Sequence, residues 1–333
     1  MIETAYYWHL LSNTPGFGAK SIHYIYEKLN KNKLSIRDLF ILSHSKLSTL
    51  FPSIGQGKFS KADFKALHFS NNEDQHNTYK KLKSENIQMI ALDDEMYPRH
   101  VLKTLENDAP ALLYCKGHLP LLNTKSISIV GTRTGKDEVF SIASHCAQHL
   151  SQQGYNIVSG YAKGVDAAAH TGALEASGTT TAVLSSGIRN YNIKKEIQQQ
   201  QTETNMLFVS QFMPDDAFTG QKAMIRNKLV CAMSEALVVI ASGPEKDETG
   251  KNSGTFSAAR FAFEMQLPVF VMSPKLFKVP PTGNESIIQN GGIGFSTTGE
   301  IIKYLSEQPL QREKTLNKKS NTMPPPSSQM TLF

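Results

Sequence analysis

The sequence predicts an α/β protein with an extended Rossmann-like, doubly wound, mostly parallel sheet. A small helical domain precedes the sheet and a disordered tail follows it. Apolar residues have helical spacing up to about residue 70, and short β-branched runs alternate with helical stretches from about residue 80. Periodicity is lost near the end, where prolines and lysines collect. We therefore place the domains at residues 1–75, 80–306 and 307–333.

Composition restricts the class of protein. The 333 residues are 40% hydrophobic, which is enough for one large or two modest domains. No run approaches the roughly 18 apolar residues of a membrane span, and no basic segment precedes the first apolar residues, so we predict neither a membrane protein nor a secreted one. The 3 cysteines are widely spaced, which indicates reduced thiols, a cytoplasmic protein and no metal site. The formal charge of +6 favours polyanion partners without proving one.

The N-terminal segment predicts two helices joined by a glycine turn. YYWHLLSN and SIHYIYEKLN have apolar residues at helical spacing. Between them, TPGFGAKS places Pro15 and Gly16 in a tight turn, and Gly18 stands where the second helix begins. This hairpin resembles a helix-hairpin-helix (SAM-like) unit, in which turn amides face a DNA phosphate. The alternative is a plain connection between two helices, with no ligand.

From about residue 80, seven apolar runs predict strands of a parallel sheet covered on both faces. The runs are IQMIAL, SISIV, NIVS, TTAVL, MLFVS, ALVVIA and PVFVM. Ligands of such open sheets gather beyond the carboxyl ends of the strands. The turns that follow the runs are therefore the first place to look for a site.

Three of these turns have the chemistry of a phosphate site. They are GTRTGK after SISIV, SGYAKGVD after NIVS, and a long polar loop after ALVVIA that leads to Ser253, Gly254 and Thr255 at a helix start. Glycines let backbone amides approach an anion, and a helix N-terminus adds partial positive charge. Arg133 offers a planar fork and Lys163 a point charge. The turns predict a phosphate-bearing ligand, whereas the missing G-x-G-x-x-G fingerprint weakens an NAD site, and no cofactor is predicted.

Three residues near the second turn allow two interpretations each. Asp166 and His170 are four apart and share a helix face, so a metal or acid-base pair is conceivable. The alternative is that Asp166 caps or charges the first helical turn while His170 packs or hydrogen-bonds internally. Tyr161 could stack on a base or belong to the core.

Taken in order, these motifs resemble those of the DNA-processing protein A family (DprA, also called Smf). IVGTR, SGYAKGVDAAAHTGAL, TTAVLSSGI, MIRNKLV, NSGTFSAARFA and GNESIIQNGG occur in the family's order, within roughly residues 5 to 300. The resemblance implies a homodimer that binds single-stranded DNA without chemistry and helps to load a RecA-type recombinase.

The resemblance also implies which residues bind DNA. Arg226, Asn227 and Lys228 match an Arg-Asn-Arg run, and we place them at a helix start. The lysine in the last place keeps the charge but loses the bidentate fork. The full predicted set is Gly131, Thr132, Arg133, Ser159, Gly160, Lys163, Lys222, Arg226, Asn227, Lys228, Ser253, Gly254 and Thr255.

Departures from the family leave three functions open. Tyr191-Asn192 and Ser210-Gln211 differ from the family's motifs, and no segment resembles the C-terminal winged helix of many members. One function is recombinase loading or strand protection. A second is a regulatory or antitoxin-like subunit in a phage-defence pair with a toxin partner. A third is a Rossmann-type nucleotide phosphoribohydrolase, but Ala258 stands where those enzymes have their catalytic glutamate, so we predict a binder and not an enzyme.

The last five residues, QMTLF, resemble the Q-x-x-L-F peptides that hold the bacterial DNA sliding clamp. Gln329 would supply hydrogen bonds, and Met330, Leu332 and Phe333 would supply apolar anchors on a flexible leash. The alternative is an apolar terminus without a partner. We predict clamp binding, because exposed Leu-Phe at the end of a polar tail needs a reason.

Overall fold

The computed structural model of the chain describes residues 3–246, 248–250 and 252–307. The described residues fall into two compact units, which divide after Gly294. In the second unit, residues 298–307 are helical. The domain boundaries drawn from the sequence remain a prediction. Almost all of the predicted tail, including Gln329, Met330, Leu332 and Phe333, lies outside the described residues.

Five α-helices precede the sheet, and the first two confirm the predicted hairpin. Gly18 is the extended N-cap residue of the second helix. Gly16 has φ +91° and lies against the carbonyl of Lys61, so that a side chain there would overlap the backbone. The helices are α1 (Thr4–Asn13), α2 (Ala19–Lys31), α3 (His44–Leu50), α4 (Phe64–Ser70) and α5 (Glu73–Ser84).

The helical segment joins the sheet through a buried polar contact inside the shared core. Trp8 of α1 is buried with its neighbours. His9 Nδ1 lies 2.8 Å from the hydroxyl of Tyr114 on the sheet. Both groups are buried, so their polar atoms need partners; the contact supplies one to each, and Asn13 Nδ2 lies 3.0 Å from the other ring nitrogen of His9. The contact fixes how α1 sits on the sheet.

The sheet has nine strands and is mostly parallel, as predicted. Its order is β1-β2-β6-β5-β4-β3-β7-β8-β9. The strands from β3 to β8 pair in parallel, whereas β2 pairs antiparallel with β1 and with β6. The strands are β1 (Gln88–Ala91), β2 (Leu112–Gly117), β3 (Ser126–Val130), β4 (Asn156–Ser159), β5 (Thr180–Val183), β6 (Met206–Ser210), β7 (Leu237–Val239), β8 (Val269–Met272) and β9 (Ile293–Phe295).

Helices between the strands cover the sheet. The parallel strands are buried along their whole length, as β-branched strands covered on both faces require. The helix α7 packs against α8, and α10 packs against α11. The helices are α6 (Arg99–Leu105), α7 (Asp137–Gln152), α8 (Val165–Glu175), α9 (Lys195–Gln198), α10 (Gly220–Ala232), α11 (Gly254–Glu264) and α12 (Asn284–Gln289).

The strand order reverses between β3 and β7, because the chain continues from β3 to β4 on one side and later returns to β7 on the other. In open α/β sheets, this switch point is where ligands bind. Several backbone hydrogen bonds join the two strands across it, and one at their carboxyl ends runs from Thr132 N to Ala241 O at 2.8 Å. The first and third predicted turns therefore flank the switch point.

Two classes of structure are not found in the described part of the chain. No helix there combines the length and the apolar character needed to cross a bilayer. The same residues contain no group of three or more His, Cys, Asp or Glu side chains placed to hold a metal ion. The cysteines Cys115, Cys146 and Cys231 are buried free thiols.

Candidate nucleic-acid interface

The turns after β3 and β4 are packed directly on each other. A side chain on Gly131 would lie 2.7 Å from Val165, the first residue of α8. Gly164, at φ +82°, lies against the backbone of Thr132 and Arg133. The amide of Val165 donates to the carbonyl of Thr132 at 3.2 Å. The glycines are needed for this contact, and the result is one continuous double turn at the sheet edge.

Arg226 lies beneath the double turn and is only 3% exposed. Its Nη1 donates to the carbonyl oxygens of Gly160 and Val183. Burial lowers the pKa of Arg226 to about 10, and the nearby Asp166 carboxylate opposes that shift. Arg226 was predicted at a helix start, but α10 begins at Gly220, where Thr219 accepts from the amide of Lys222 at 3.1 Å. That placement was wrong, and the guanidinium supports the turn from below.

Asp166 is a buried carboxylate in the first turn of α8. Its Oδ2 accepts from the amide of Ala162 at 3.2 Å, so it fixes the glycine turn in front of its own helix. Burial raises its pKa, and the positive charges of Arg226, Lys194 and Arg133 act in the opposite direction. Asp166 therefore places a charge in the first helical turn, which was one of the predicted roles, but it bonds the preceding turn and does not cap the helix. One buried acid thus faces several cations, and the site keeps an excess of positive charge.

Besides Lys136, the double turn carries two exposed cations, Arg133 and Lys163. Within the described residues, neither side chain has a hydrogen bond or an ion pair. Arg133 acts electrostatically on both Asp166 and Arg226, and Lys163 acts on Lys194, so all of these groups share one neighbourhood. These two cations have no partner within the described residues and lie above the buried guanidinium of Arg226. Together they form a surface that can bind phosphate oxygens.

Lys222 and Lys228 lie on α10, the helix that carries Arg226, and each forms an ion pair with an aspartate. Lys222 Nζ lies 2.9 Å from Asp216, and Lys228 Nζ lies 2.9 Å from Asp108. Both ion pairs are partly exposed, where such pairs contribute little to stability. These lysines are therefore available to phosphate only in exchange for their carboxylates.

The remaining predicted residues build the backbone of the site. Asn227 Nδ2 donates to the carbonyl of Gly254 at 3.0 Å and ties α10 to the start of α11. Ser253 caps α11 by accepting from the amide of Phe256 at 3.3 Å. The buried Ser159 donates to the carbonyl of Ile129 at 2.6 Å, within the sheet. Thr255 is also buried.

Lys194 is a site residue that the sequence analysis missed. Its Nζ donates to the carbonyls of Tyr161 and Ala162, at 3.2 and 2.8 Å, and lies 4.5 Å from the centre of the Tyr161 ring. Its amide donates to the Tyr161 hydroxyl at 3.0 Å. Tyr161 has φ +59°, an unfavourable conformation for a residue with a side chain. Lys194 therefore stabilises the turn in this conformation. The sequence feature that could have indicated Lys194 is the pair Lys194-Lys195, which follows the next strand, TTAVL.

Tyr161 belongs to the core edge, which was one of its two interpretations. Its ring has an edge contact with Phe208 at 5.5 Å and lies 5.7 Å from His170. Its hydroxyl donates to the carbonyl of Asn192 at 3.2 Å. With one ring face near Lys194 and the edges packed, the ring is held inside the turn.

His170 is fully buried and neutral. Its Nδ1 lies 2.6 Å from the hydroxyl of Thr180, which itself donates to the carbonyl of Ile157. Nδ1 is therefore the protonated nitrogen, and Nε2 has no hydrogen-bond partner among the described residues. Burial lowers the pKa of His170 to about 3, and the charges of Lys194 and Arg226 lower it further. This agrees with internal hydrogen bonding and not with an acid-base role near neutral pH.

Comparison with solved structures supports the fold. The X-ray structure of DNA processing protein A from Streptococcus pneumoniae has a TM-score of 0.72 and 21% sequence identity, covering 91% of this chain and 98% of that one. A structure of DNA processing protein A from Helicobacter pylori has a TM-score of 0.55 and 26% identity, covering 66% of this chain and 97% of that one.

Sequence comparison gives the family. DNA processing protein DprA of Bacillus subtilis is 27% identical over 231 residues, which cover 69% of this chain and 75% of that protein. Protein Smf of Escherichia coli is 26% identical over 226 residues, which cover 67% of this chain and 58% of that protein. The model of the family described as DNA recombination-mediator protein A matches residues 88–306. The family resemblance of the sequence motifs is thereby confirmed, and this chain belongs to the DNA recombination-mediator protein A family.

Proposed function

We propose that this protein binds single-stranded DNA in a sequence-tolerant way at the double turn. The observation that carries the proposal is the pair of exposed cations, Arg133 and Lys163, which have no ion-pair partner in the described part of the chain and lie above the buried Arg226. Cations and turn amides hold the sugar-phosphate backbone, which is the same for every sequence. Support comes from the related Helicobacter pylori protein, whose structure concerns its single-stranded DNA binding mode.

The residues of the predicted set have different roles in this proposal. Arg133 and Lys163 contact phosphate, with Gly131, Thr132 and Gly160 as backbone of the double turn. Lys222 and Lys228 contact phosphate after leaving their acids. Arg226, Asn227, Ser159, Ser253, Gly254 and Thr255 shape the surface. The described site offers amides and cations, and Ala258, buried in α11, provides no acid or base there.

The test is a double substitution, Arg133→Ala with Lys163→Ala. Affinity for an oligothymidine should fall roughly tenfold or more at low salt. The salt slope, which is the slope of log affinity against log salt concentration, should become shallower by about 1.4 because two phosphate contacts are lost. Arg37→Ala with Lys46→Ala removes the same charges from exposed positions far along the chain and serves as control. Equal affinities for the two double variants would refute the proposed groove, which consists of the double turn with Arg133, Lys163, Lys222 and Lys228. Hydrolysis of nucleoside monophosphates by the native protein would instead favour the phosphoribohydrolase alternative.

We also propose a role in recombination, with a RecA-type recombinase as partner of a homodimer. The family membership supports this role, because its members are recombination mediators by description. Recombinase filament formation on coated single strands, with and without this protein, tests it. A gene for a toxin beside this one, and rescue from that toxin by this protein, would favour the phage-defence alternative.

Docking of QMTLF on the DNA sliding clamp is a separate proposal from the sequence alone. A short peptide on a long tether loses modest entropy on binding, so weak and reversible affinity is expected. Calorimetric titration of purified clamp with the full chain and with a chain lacking residues 329–333 tests it. Equal affinity of the full and the shortened chain for the clamp would refute the proposal.

A further inference from the structure

The positive charge of this protein is concentrated in its helical segment. Residues 1–85 contain 12 lysines and arginines against 7 aspartates and glutamates. Residues 86–307, which form the sheet and its helices, contain 19 against 21. The sheet-bearing segment therefore has no positive excess of its own. Long-range attraction of a polyanion must come mainly from elsewhere, and the helical segment is its largest source.

A row of cations and one aromatic ring runs along α2. Lys20, Tyr24 and Lys28 are four residues apart, so they share one face and follow each other at a rise of about 6 Å. The Nζ of Lys28 lies 5.7 Å from the centre of the Tyr24 ring. Lys20 is exposed, and Tyr24 and Lys28 are half-buried. The row is thus accessible from solvent.

A second segment extends this row. The Phe59 ring lies 5.5 Å from the Tyr24 ring, and Lys58 Nζ lies 5.0 Å from the Phe59 ring. Lys61 follows in the same compact loop, and its carbonyl touches Gly16 in the turn before α2. We call this surface the α2 patch; its members are Lys20, Tyr24, Lys28, Lys58 and Lys61.

The cations of the α2 patch are not neutralised by neighbours. Within the described chain, none of its four lysines forms an ion pair. Glu27 is the single acidic residue of α2 and has no ion pair there either. Asp63, the next acid after Lys61, caps α4 by accepting from the amide of Lys65 and lies 3.9 Å from His44. The patch therefore keeps nearly its full charge.

We infer that the α2 patch is a second binding surface for the sugar-phosphate backbone of single-stranded DNA, for nucleotides that extend beyond the groove. Four ammonium groups would contact phosphates, and the accessible part of Tyr24 would stack on a base. The choice of ligand rests on the proposed function. Contacts lead from α2 to the groove, because His23 lies 2.7 Å from the carbonyl of Ala109 and the adjacent Asp108 pairs with Lys228.

The test compares two triple variants that lose the same charge. Lys20→Gln, Lys28→Gln and Lys58→Gln remove the patch, whereas Lys46→Gln, Lys80→Gln and Lys81→Gln remove three other exposed lysines of the same segment. Each is titrated with a short oligothymidine of about 12 nucleotides, within the range that one single-strand binding site covers in other proteins, and with a long one of about 60. Thermal unfolding confirms that the variants remain folded.

The patch variant should bind the long strand roughly tenfold more weakly than the control variant at low salt, with a salt slope lower by about 2. Its affinity for the short strand should be unchanged. If both triple variants bind the long strand equally, the inference is overturned, and an acidic protein surface becomes the alternative occupant.

The groove variant Arg133→Ala with Lys163→Ala separates this inference from the proposed function. If the groove is right, that variant weakens binding of both strand lengths. If it binds both strands with normal affinity while the patch variant binds the long strand more weakly, DNA binding at the groove is refuted and DNA binding at the α2 patch is supported.

Discussion

The buried guanidinium of Arg226 donates to the main-chain carbonyl of Gly160, in the turn that carries Lys163. Any side chain at Gly160 would overlap that guanidinium. This contact explains why the turn has no side chain at position 160, because the Arg226 guanidinium occupies the space that a Cβ would need. The turn therefore needs glycine for its contact below as well as for approach of a ligand from above.

Replacing Gly164 should show how tightly the double turn is packed. Gly164 and Gly154 share a positive φ, +82° and +83°, but Gly164 also has ψ −129°, and a Cβ there would lie 2.5 Å from the carbonyl oxygen of Thr132, whereas Gly154 has open space. Gly154→Ala should cost about 1 kcal/mol from conformation alone. Gly164→Ala should cost roughly 2 kcal/mol more and weaken DNA binding. Urea unfolding of both variants measures the difference, and equal costs would contradict the packing.

Lys194→Met should weaken DNA binding although Lys194 itself is largely enclosed. Without its ammonium group, the carbonyls of Tyr161 and Ala162 lose their donor, and Tyr161 loses the contacts that hold its positive φ. The turn should then relax and misplace Lys163. Lys195→Met removes an adjacent exposed lysine and is the matched control. Fluorescence anisotropy with an oligothymidine should show a several-fold loss for the first variant alone; equal losses would indicate a plain charge effect.

Removing two carboxylates should strengthen DNA binding. Asp108 and Asp216 occupy Lys228 and Lys222, and a phosphate must displace them before it can contact these lysines. Asp108→Asn with Asp216→Asn frees both cations and leaves the side-chain shapes nearly unchanged. Affinity should rise several-fold at low salt, with a steeper salt slope. A control pair, Glu203→Gln with Glu235→Gln, makes the same change of net charge elsewhere. Equal gains in both pairs would mean that Lys222 and Lys228 do not bind the strand.

Much of this architecture could be predicted from the sequence, since all seven apolar runs contain strands of the sheet. The strands β2 and β9 were not predicted: β2 pairs antiparallel at one side, and β9 is three residues long with a glycine. Arg226 shows how far the site could be predicted from the sequence. Its place in a basic run indicates a ligand contact, but only the packed turn above it shows that the guanidinium is buried. Lys194 was missed because its contacts depend on a turn 33 residues away in the chain.

Acid should destabilise the fold through His170. Its pKa in the folded state is about 3, below the ordinary value of 6.5, so the folded protein keeps the ring neutral while the unfolded chain takes up a proton. The contribution of His170 to stability is therefore complete above pH 6.5 and is lost as pH falls from 6.5 towards 3, by up to about 1.4 kcal/mol per pH unit. His170→Asn, which keeps a donor for Thr180, should make the unfolding free energy less dependent on pH in that range. Urea unfolding of both proteins between pH 6.5 and 4.5 measures the two slopes, and parallel slopes would contradict a neutral buried ring. Proton NMR of the native protein gives a second readout, because the His170 ring signals should not titrate above pH 4.5.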